Sequence, residues 1–503
     1  MKTSTKHTLR LVLLSITILI GVGVGVLLYL FHKQIQTPPT KALAAIPSHT
    51  ALFIESTKPA AFFNFTTEAQ PLFSLFINEI QQKNIQQIVS ILRDKKQGFD
   101  VEKQSNALYL SVHTTTRNEI SLLFCVEADP SHDKNLECFT KQMASKFRNE
   151  SFFYKGNEMI KLHLNDKDIL YVNYQNGLLL LSFDESLLRA SMNQLLSKDS
   201  TLYNMVNSFA SKSDVSSSLR VYLQHNQSNT IFKKILEAID GDAHITKPLK
   251  PFLWSALNVR QKNGEFIFSG YALADTSVAS AKLLMQKKQE IDIDKRLPYN
   301  TIRLFYLNAK DFQQFSAVKP YVQTSEDVFG LMYPRQIAVF EMNTNDTVSN
   351  ALLLVSENVS EAAFHLFHSV GSEFTENQYI LDTFHVNTAM VGKINLNNFM
   401  ITRFGYNQHF PKLCYYTVWD DNIVFTDTKA GMISYIQQLR AGKTLKTNKE
   451  YKNLQSYFSN QANVLYYNES PQKPIQRIRF QYDWFSDNLF LFEAAVRGRE
   501  KGE

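Results

Sequence analysis

Glycine is scarce in this chain, 17 of 503 residues. Folds that cradle a nucleotide need glycine where backbone must approach phosphate, so the scarcity counts against them. Motifs are missing too: the sequence holds no G-x-S-x-G elbow, no phosphate-binding P-loop, no G-x-G-x-x-G turn and no H-E-x-x-H pair. Their absence counts against the common hydrolases and nucleotide enzymes. An enzyme of unfamiliar type is what that leaves open. Basic clusters are lacking as well. The formal charge of +6 is spread along the chain, with no Lys/Arg block beyond the N-terminus, so nucleic acid is not expected as a partner. Only three cysteines occur, Cys125, Cys138 and Cys414. An oxidising compartment would permit one disulfide and leave one thiol over. Cys125 in "SLLFCVE" and Cys414 in "KLCYYTV" sit in strand-like apolar runs and read as buried small hydrophobes.

What is present is ordinary globular composition, 44% apolar and 20% charged, with 37 Phe and 22 Tyr. The length suffices for two or more domains. Leu11–Phe31, "LVLLSITILIGVGVGVLLYLF", is an uncharged run of 21 residues, long enough to cross a bilayer as a helix. Lys2, Lys6 and Arg10 precede it, which predicts residues 1–10 in the cytoplasm and the remainder outside it. A cleaved signal peptide has a shorter apolar core, so an uncleaved anchor is the expectation. Gly21 and Gly25 form a G-x-x-x-G pair that could bring two such helices together as a homodimer. Residues 32–45, with Pro38 and Pro39, read as a stalk.

Beyond the stalk, blocks recur in collinear order. "IPSHTALFIES" from Ile46 is echoed by "LPYNTIRLFYL" from Leu297, an offset of 251. "SLLFCVE" from Ser121 is echoed by "ALLLVSE" from Ala351, an offset of 230. "DILYVNYQNGLLLLSFDESLLRASMNQL" from Asp168 is echoed from Lys412 at 244, and "NGEFIFSGYAL" from Asn263 by "DNLFLFEAAVR" at 224. The expectation is two duplicated units, residues 46–275 and 297–499, joined by a charged helical linker, 276–296. Short polar turns such as "QNG" suit antiparallel hairpins, and helices come in separate runs, so the fold class expected is α+β. Leu178–Phe183 reads as a strand buried on both faces. The helix after it should be started by a Ser182/Glu185 capping box or by Asp184, and it should bury Leu188, Met192 and Leu195.

Three groups could carry chemistry. Glu361, His365 and His368 fall at i, i+4, i+7 of one helix, a spacing that could hold zinc. The matching helix of the first unit, "NLECFTKQM", has no histidine, and a partly exposed helix face is the plainer reading. Asp240, Asp242 and His244 read as a helix-ending loop. Glu290, Asp292 and Asp294, alternating in the linker, read as a solvated spacer. No catalytic residue, metal site or cofactor is therefore assigned.

The anchor, the "AAIPSHTALFIES" start, the "NGLLLLSFDESLLRASMNQL" block and the strand "SLRVYLQHN" together resemble bacterial envelope proteins grouped as domain of unknown function 3352. That resemblance implies a bacterial protein tethered to the inner membrane, with its bulk outside the cytoplasm. It carries over no catalytic residue. The expected function is a non-enzymatic envelope scaffold or binding protein with another envelope protein as partner. A carrier or chaperone for hydrophobic cargo, and a metal-dependent enzyme, are the alternatives.

Overall fold

The computed structural model describes residues 41–74, 77–94, 98–114, 119–197, 201–210, 217–227, 231, 252–277, 285, 289–308, 334–344, 347–361, 380–394, 415–473 and 475–498. The apolar run 11–31, with Gly21 and Gly25, lies outside them. Among the described residues, no helix is long and apolar enough to cross a membrane.

The described chain is an α+β fold built on one sheet of twenty strands. Ten come first: β1 (Leu52–Ser56), β2 (Ser105–Thr114), β3 (Ile120–Ala128), β4 (Arg148–Tyr154), β5 (Asn157–His163), β6 (Ile169–Gln175), β7 (Leu178–Ser182), β8 (Leu219–Gln224), β9 (Phe252–Lys262) and β10 (Glu265–Ala274). Ten follow: β11 (Thr301–Asn308), β12 (Pro334–Asn343), β13 (Val348–Ser356), β14 (Ile380–Val386), β15 (Ala389–Ile394), β16 (Tyr415–Trp419), β17 (Asn422–Thr426), β18 (Val464–Glu469), β19 (Ile475–Ser486) and β20 (Leu489–Gly498). All neighbours are antiparallel. The order is β4-β5-β6-β7-β3-β2-β1-β8-β9-β10, then β20-β19-β18-β11-β12-β13-β17-β16-β15-β14. The second ten thus run through the first ten's order in reverse.

The register repeats as well. Across the sheet, Phe53 is followed on one side by Ser111, Leu123 and Ser182, and on the other by Tyr222, Ala256 and Tyr271. Leu304 is followed by Phe340, Ala351 and Thr426, and by Tyr467, Arg479 and Ala495. The offsets are 251 at β1/β11 (304 − 53), 244 at β7/β17 (426 − 182) and 224 at β10/β20 (495 − 271), those read from the sequence. At β3/β13 the offset is 228 (351 − 123), two residues from the 230 read from sequence. A slip of two keeps every side chain on the same face, so hydrophobic pattern alone could not detect it. The halves meet at β10–β20, where Ser269 pairs with Glu493. These residues correspond to each other (493 − 269 = 224), so the joint is a self-complementary pairing about a local two-fold.

Burial explains the apolar strands. Every residue of Leu178–Ser182 is buried. Leu179 and Leu181 pack with the helices Pro59–Glu68, Glu79–Leu92 and Asp133–Ser145, while Leu178 and Leu180 pack with Lys41–Ala44, Glu185–Ser197 and Thr201–Ala210. The helix Glu79–Leu92 is fixed at its start by Asn78. Asn78 accepts from the Gln81 backbone N–H (2.9 Å), and the Gln81 side chain accepts from the Asn78 N–H (2.9 Å), a closed capping box. Two-residue hairpin turns take positive φ, as at Asn176 (49°) and Gly177 (78°) in "QNG".

Asp184, not Ser182, starts the helix Glu185–Ser197: its Oδ1 accepts from the N–H groups of Ser186 (2.8 Å) and Leu187 (3.2 Å). At the matching place Thr428 Oγ1 accepts from the Gly431 N–H (3.0 Å). Asp184 against Thr428 therefore changes the residue and keeps the job. Ser121 ties down the first cap (2.6 Å to Asp184) and Ser349 the second (2.8 Å to Thr428). Ser191 donates to the Ala45 carbonyl (2.7 Å), and its counterpart Tyr435 donates to the Arg296 carbonyl (3.0 Å). The chain before each first strand is thus pinned by a hydroxyl. Residues expected in the stalk are packed: Ala42, Leu43 and Ala45 are buried. Packed chain begins by Ala42, ahead of the boundary at 45.

Gly431 marks the tightest of these places. A Cβ there would lie 2.0 Å from Ser349 Oγ and 2.9 Å from Thr428 Oγ1. Alanine in place of an ordinary helical glycine stabilises by up to about 1 kcal/mol. Here Gly431→Ala is expected to destabilise by about 1–3 kcal/mol, because it pushes apart the cap and its tether. A urea midpoint that rises in the variant would contradict this.

Candidate functional site: a buried charged centre

The acidic stretch expected to be a solvated spacer is the most unusual polar site among the described residues. Its chain is held against residues 460–461, by Ile291 N–H to the Asn460 carbonyl (2.8 Å) and by a bridge between Glu290 and Gln461. Ile291 and Ile293 enter the core, and Ile293–Lys295 form a single 3-10 turn. That turn sends Asp292 and Asp294 to different surroundings. Glu290 stays exposed.

Asp292 joins an outer, half-buried network. It accepts from Gln336 Nε2 (2.7 Å) and Arg296 Nη2 (3.4 Å). Arg296 also reaches Asp421 and Asn422, and Arg335 Nη2 donates to Asp421 Oδ2 (2.8 Å). Burial pushes the Asp292 carboxyl up, but the Gln336 hydrogen bond and the Arg296 charge outweigh it and hold the group below its usual range.

Asp294 goes inward and is 1% exposed, with neither carboxylate oxygen hydrogen-bonded. Burial raises its pKa, against the opposing charges of Lys446 and Arg479. Arg479, on β19, is fully buried. Its guanidinium lies between the rings of Tyr451 (5.0 Å) and Phe458 (4.7 Å), an aromatic clamp on a cation. Nη2 donates to Gln481 Oε1 (3.1 Å), while Nε and Nη1 have no acceptor. Gln481 in turn donates to Glu493 Oε2 (2.8 Å), the residue at the local two-fold. Burial pushes the Tyr451 phenol up to about 12. The phenol stays protonated at neutral pH, and the centre is sealed from solvent. It can hold charge inside the fold but exposes no reacting group.

Two histidine–serine pairs look more like chemistry. His113 Nε2 lies 2.9 Å from Ser111 Oγ, and His225 Nε2 lies 2.8 Å from Ser255 Oγ. All four residues are buried. Burial lowers His113 to about 3, with the neighbouring His49 adding to it, and lowers His225 to about 4. Bases this weak, closed to substrate, are poorly matched to proton abstraction near neutral pH. Sequence reasoning missed both pairs. Ser111 and His113 are two apart on one strand, and His225 and Ser255 meet only through β8–β9.

Of the metal candidates, Glu361 accepts from Asn358 Nδ2 (2.8 Å) at the exposed start of a helix. His365 and His368 lie outside the described residues, as do Asp240, Asp242, His244 and Cys414. No group of three or more His, Cys, Asp or Glu suited to a metal occurs among the described residues. Cys125 is buried, and burial pushes its thiol well up; Cys138 is exposed.

No protein-family description and no curated relative matches the sequence. Among solved structures, crystal form III of TP0453 is similar at 13% identity with a TM-score of 0.26, covering 48% of this chain and 81% of that one. Crystal form I of TP0453 has 11% identity and a TM-score of 0.28 over the same shares. Likeness at this level does not extend to a function.

Proposed function

We propose that the protein is a non-enzymatic, membrane-anchored scaffold or binding protein of the bacterial envelope, built from two tandem copies of one unit. Residues 11–31 form the inner-membrane anchor, and the bulk lies outside the cytoplasm. One observation carries the reading: corresponding positions of the two halves preserve framework and not chemistry. Strand order, register, helix caps and the hydroxyl tethers recur. The charged centre does not, since Asp294 stands where the offset of 251 puts Leu43, and Arg479 takes the place in the ladder that Ala256 has in the first half (479 − 256 = 223). A duplicated platform with divergent side chains suits holding a partner. Crosslinking in intact cells followed by purification tests this. A repeatable envelope neighbour is the expected result, and the protein recovered alone would count against it.

A carrier of hydrophobic cargo is less well supported. In the first half helices cover apolar side chains on both faces of the sheet, with Phe53, Phe62, Phe63, Leu180 and Leu181 fully buried. A metal-dependent enzyme would have Glu361, His365 and His368 as the first residues to test.

A further inference from the structure

The β4–β5 hairpin ends in "FFYKG", with Lys155 (φ 48°) and Gly156 (φ 81°) making the turn. Phe153, beside that turn, is 74% exposed, the most exposed large apolar side chain among the described residues. Among the described residues its strand pairs on one side only, with β5, at the end of the sheet. The neighbouring aromatics are held firmly. Arg189 stacks on Phe152 (5.8 Å) and Tyr154 (4.7 Å), and the Tyr154 hydroxyl is hydrogen-bonded with Asn193 (Nδ2 to Oη, 3.0 Å). A fixed hairpin therefore presents one unsupported phenylalanine and one lysine. Leu196, 54% exposed, adds a second apolar group from the same helix as Arg189 and Asn193.

That helix also receives the start of the folded chain, through Ser191 to the Ala45 carbonyl. So the hairpin and the chain's point of entry are fastened within two residues of each other, at Asn193 and Ser191. Nine residues, 32–40, separate the apolar run from Lys41, and their contour is at most about 30 Å. On the anchor reading above, this end of the body is held close to the bilayer.

We infer that the β4–β5 tip is a membrane-contact site, with Phe153 entering the boundary between headgroups and acyl chains and Lys155 lying at headgroup level. The division follows from an apolar ring next to a long amphipathic side chain. The local charges nearly cancel. Glu158 stands opposite Phe153 in the ladder, and Glu185 is paired with Arg189 (2.8 Å). Contact is therefore apolar in origin and insensitive to salt, without a requirement for anionic lipid.

The test uses the full chain reconstituted in phosphatidylethanolamine–phosphatidylglycerol vesicles carrying a nitroxide-labelled lipid. Tryptophan is placed by Phe153→Trp at the tip, by Val348→Trp at an exposed place in the second half, and by Ile18→Trp in the apolar run. Emission added over the parent is compared. The expected result is Phe153→Trp emission quenched several-fold more strongly than Val348→Trp emission, unchanged in high salt. Quenching of Ile18→Trp with Phe153→Trp no more affected than Val348→Trp would overturn the inference and leave the anchor standing. An unquenched Ile18→Trp would remove the anchor reading and the inference with it. A Phe153→Trp signal shielded from aqueous acrylamide but untouched by lipid quencher would assign the tip to a protein partner and overturn the membrane contact.

Discussion

Arg479→Ala is expected to lower the stability of the fold by about 2–5 kcal/mol, the range for truncating a large buried side chain to alanine. Two losses combine. The alanine leaves a gap between Tyr451 and Phe458, where the guanidinium is now clamped. It also removes a buried positive charge that, with Lys446, opposes the rise burial gives the Asp294 carboxyl. The double variant Asp294→Leu/Arg479→Met is expected to recover most of that loss and to lie within about 1–2 kcal/mol of the parent. Well-packed apolar replacements of buried ion pairs are often neutral or better. The first half shows that this framework accepts an apolar solution, since Leu43 and Ala256 are both buried in a continuous apolar cluster. Denaturation midpoints for the two singles and the double give a thermodynamic cycle. Additive losses would mean that Asp294 and Arg479 are not coupled.

Mild acid should destabilise the protein steeply, and the two buried histidines should account for much of the slope. Burial lowers His113 to about 3 and His225 to about 4 in the folded state, while an unfolded histidine titrates near 6.5. Between those limits the unfolded chain binds more protons. Their contribution is therefore fully present above about pH 6.5 and is lost as pH falls toward the folded values, at about 1.4 kcal/mol per pH unit for each histidine. At pH 4.5 the combined loss is on the order of 5 kcal/mol. His113→Gln/His225→Gln removes both titrations. Its stability at neutral pH can fall, but its slope between pH 6.5 and 4.5 should be shallower than the parent's by roughly 2–3 kcal/mol per pH unit. Equal slopes would place the acid sensitivity on carboxylates such as Asp184, whose hydrogen bonds from Ser121 and Ser186 hold it below its usual range despite burial.

Much of the framework could be read from the sequence because burial writes itself as periodicity. Leu178–Leu181 had to be covered on both faces, and "QNG" had to turn. Offsets of 251, 244 and 224 survive in the sheet because ladder register and side-chain pattern obey the same period of two. That period also hides the two-residue difference at β3/β13, which the ladder register shows and the Ser121 and Ser349 tethers repeat (349 − 121 = 228). Asp184 and Thr428 look like a substitution in alignment and act alike as helix caps. The candidate site was illegible for a different reason. Alternating Glu290, Asp292 and Asp294 carry no mark of which acid turns inward. Arg479 sits 185 residues further on, in an apolar strand pattern that gives no hint of a buried cation.

The pairing of β10 with β20 sets a waiting time. β10 ends at Ala274, and its outer partner begins at Leu489, 215 residues later (489 − 274). At synthesis rates of about 5–20 residues per second, one edge of β10 stays without its partner for about 10–40 s. Its exposed backbone is a template for any antiparallel strand during that interval, including the β20 of another chain. Two molecules made side by side could exchange these last strands, and the self-complementary geometry at Ser269 and Glu493 would accept the exchange without distortion. Crowding of nascent chains, rather than any change in the finished fold, is then the condition under which this architecture goes astray.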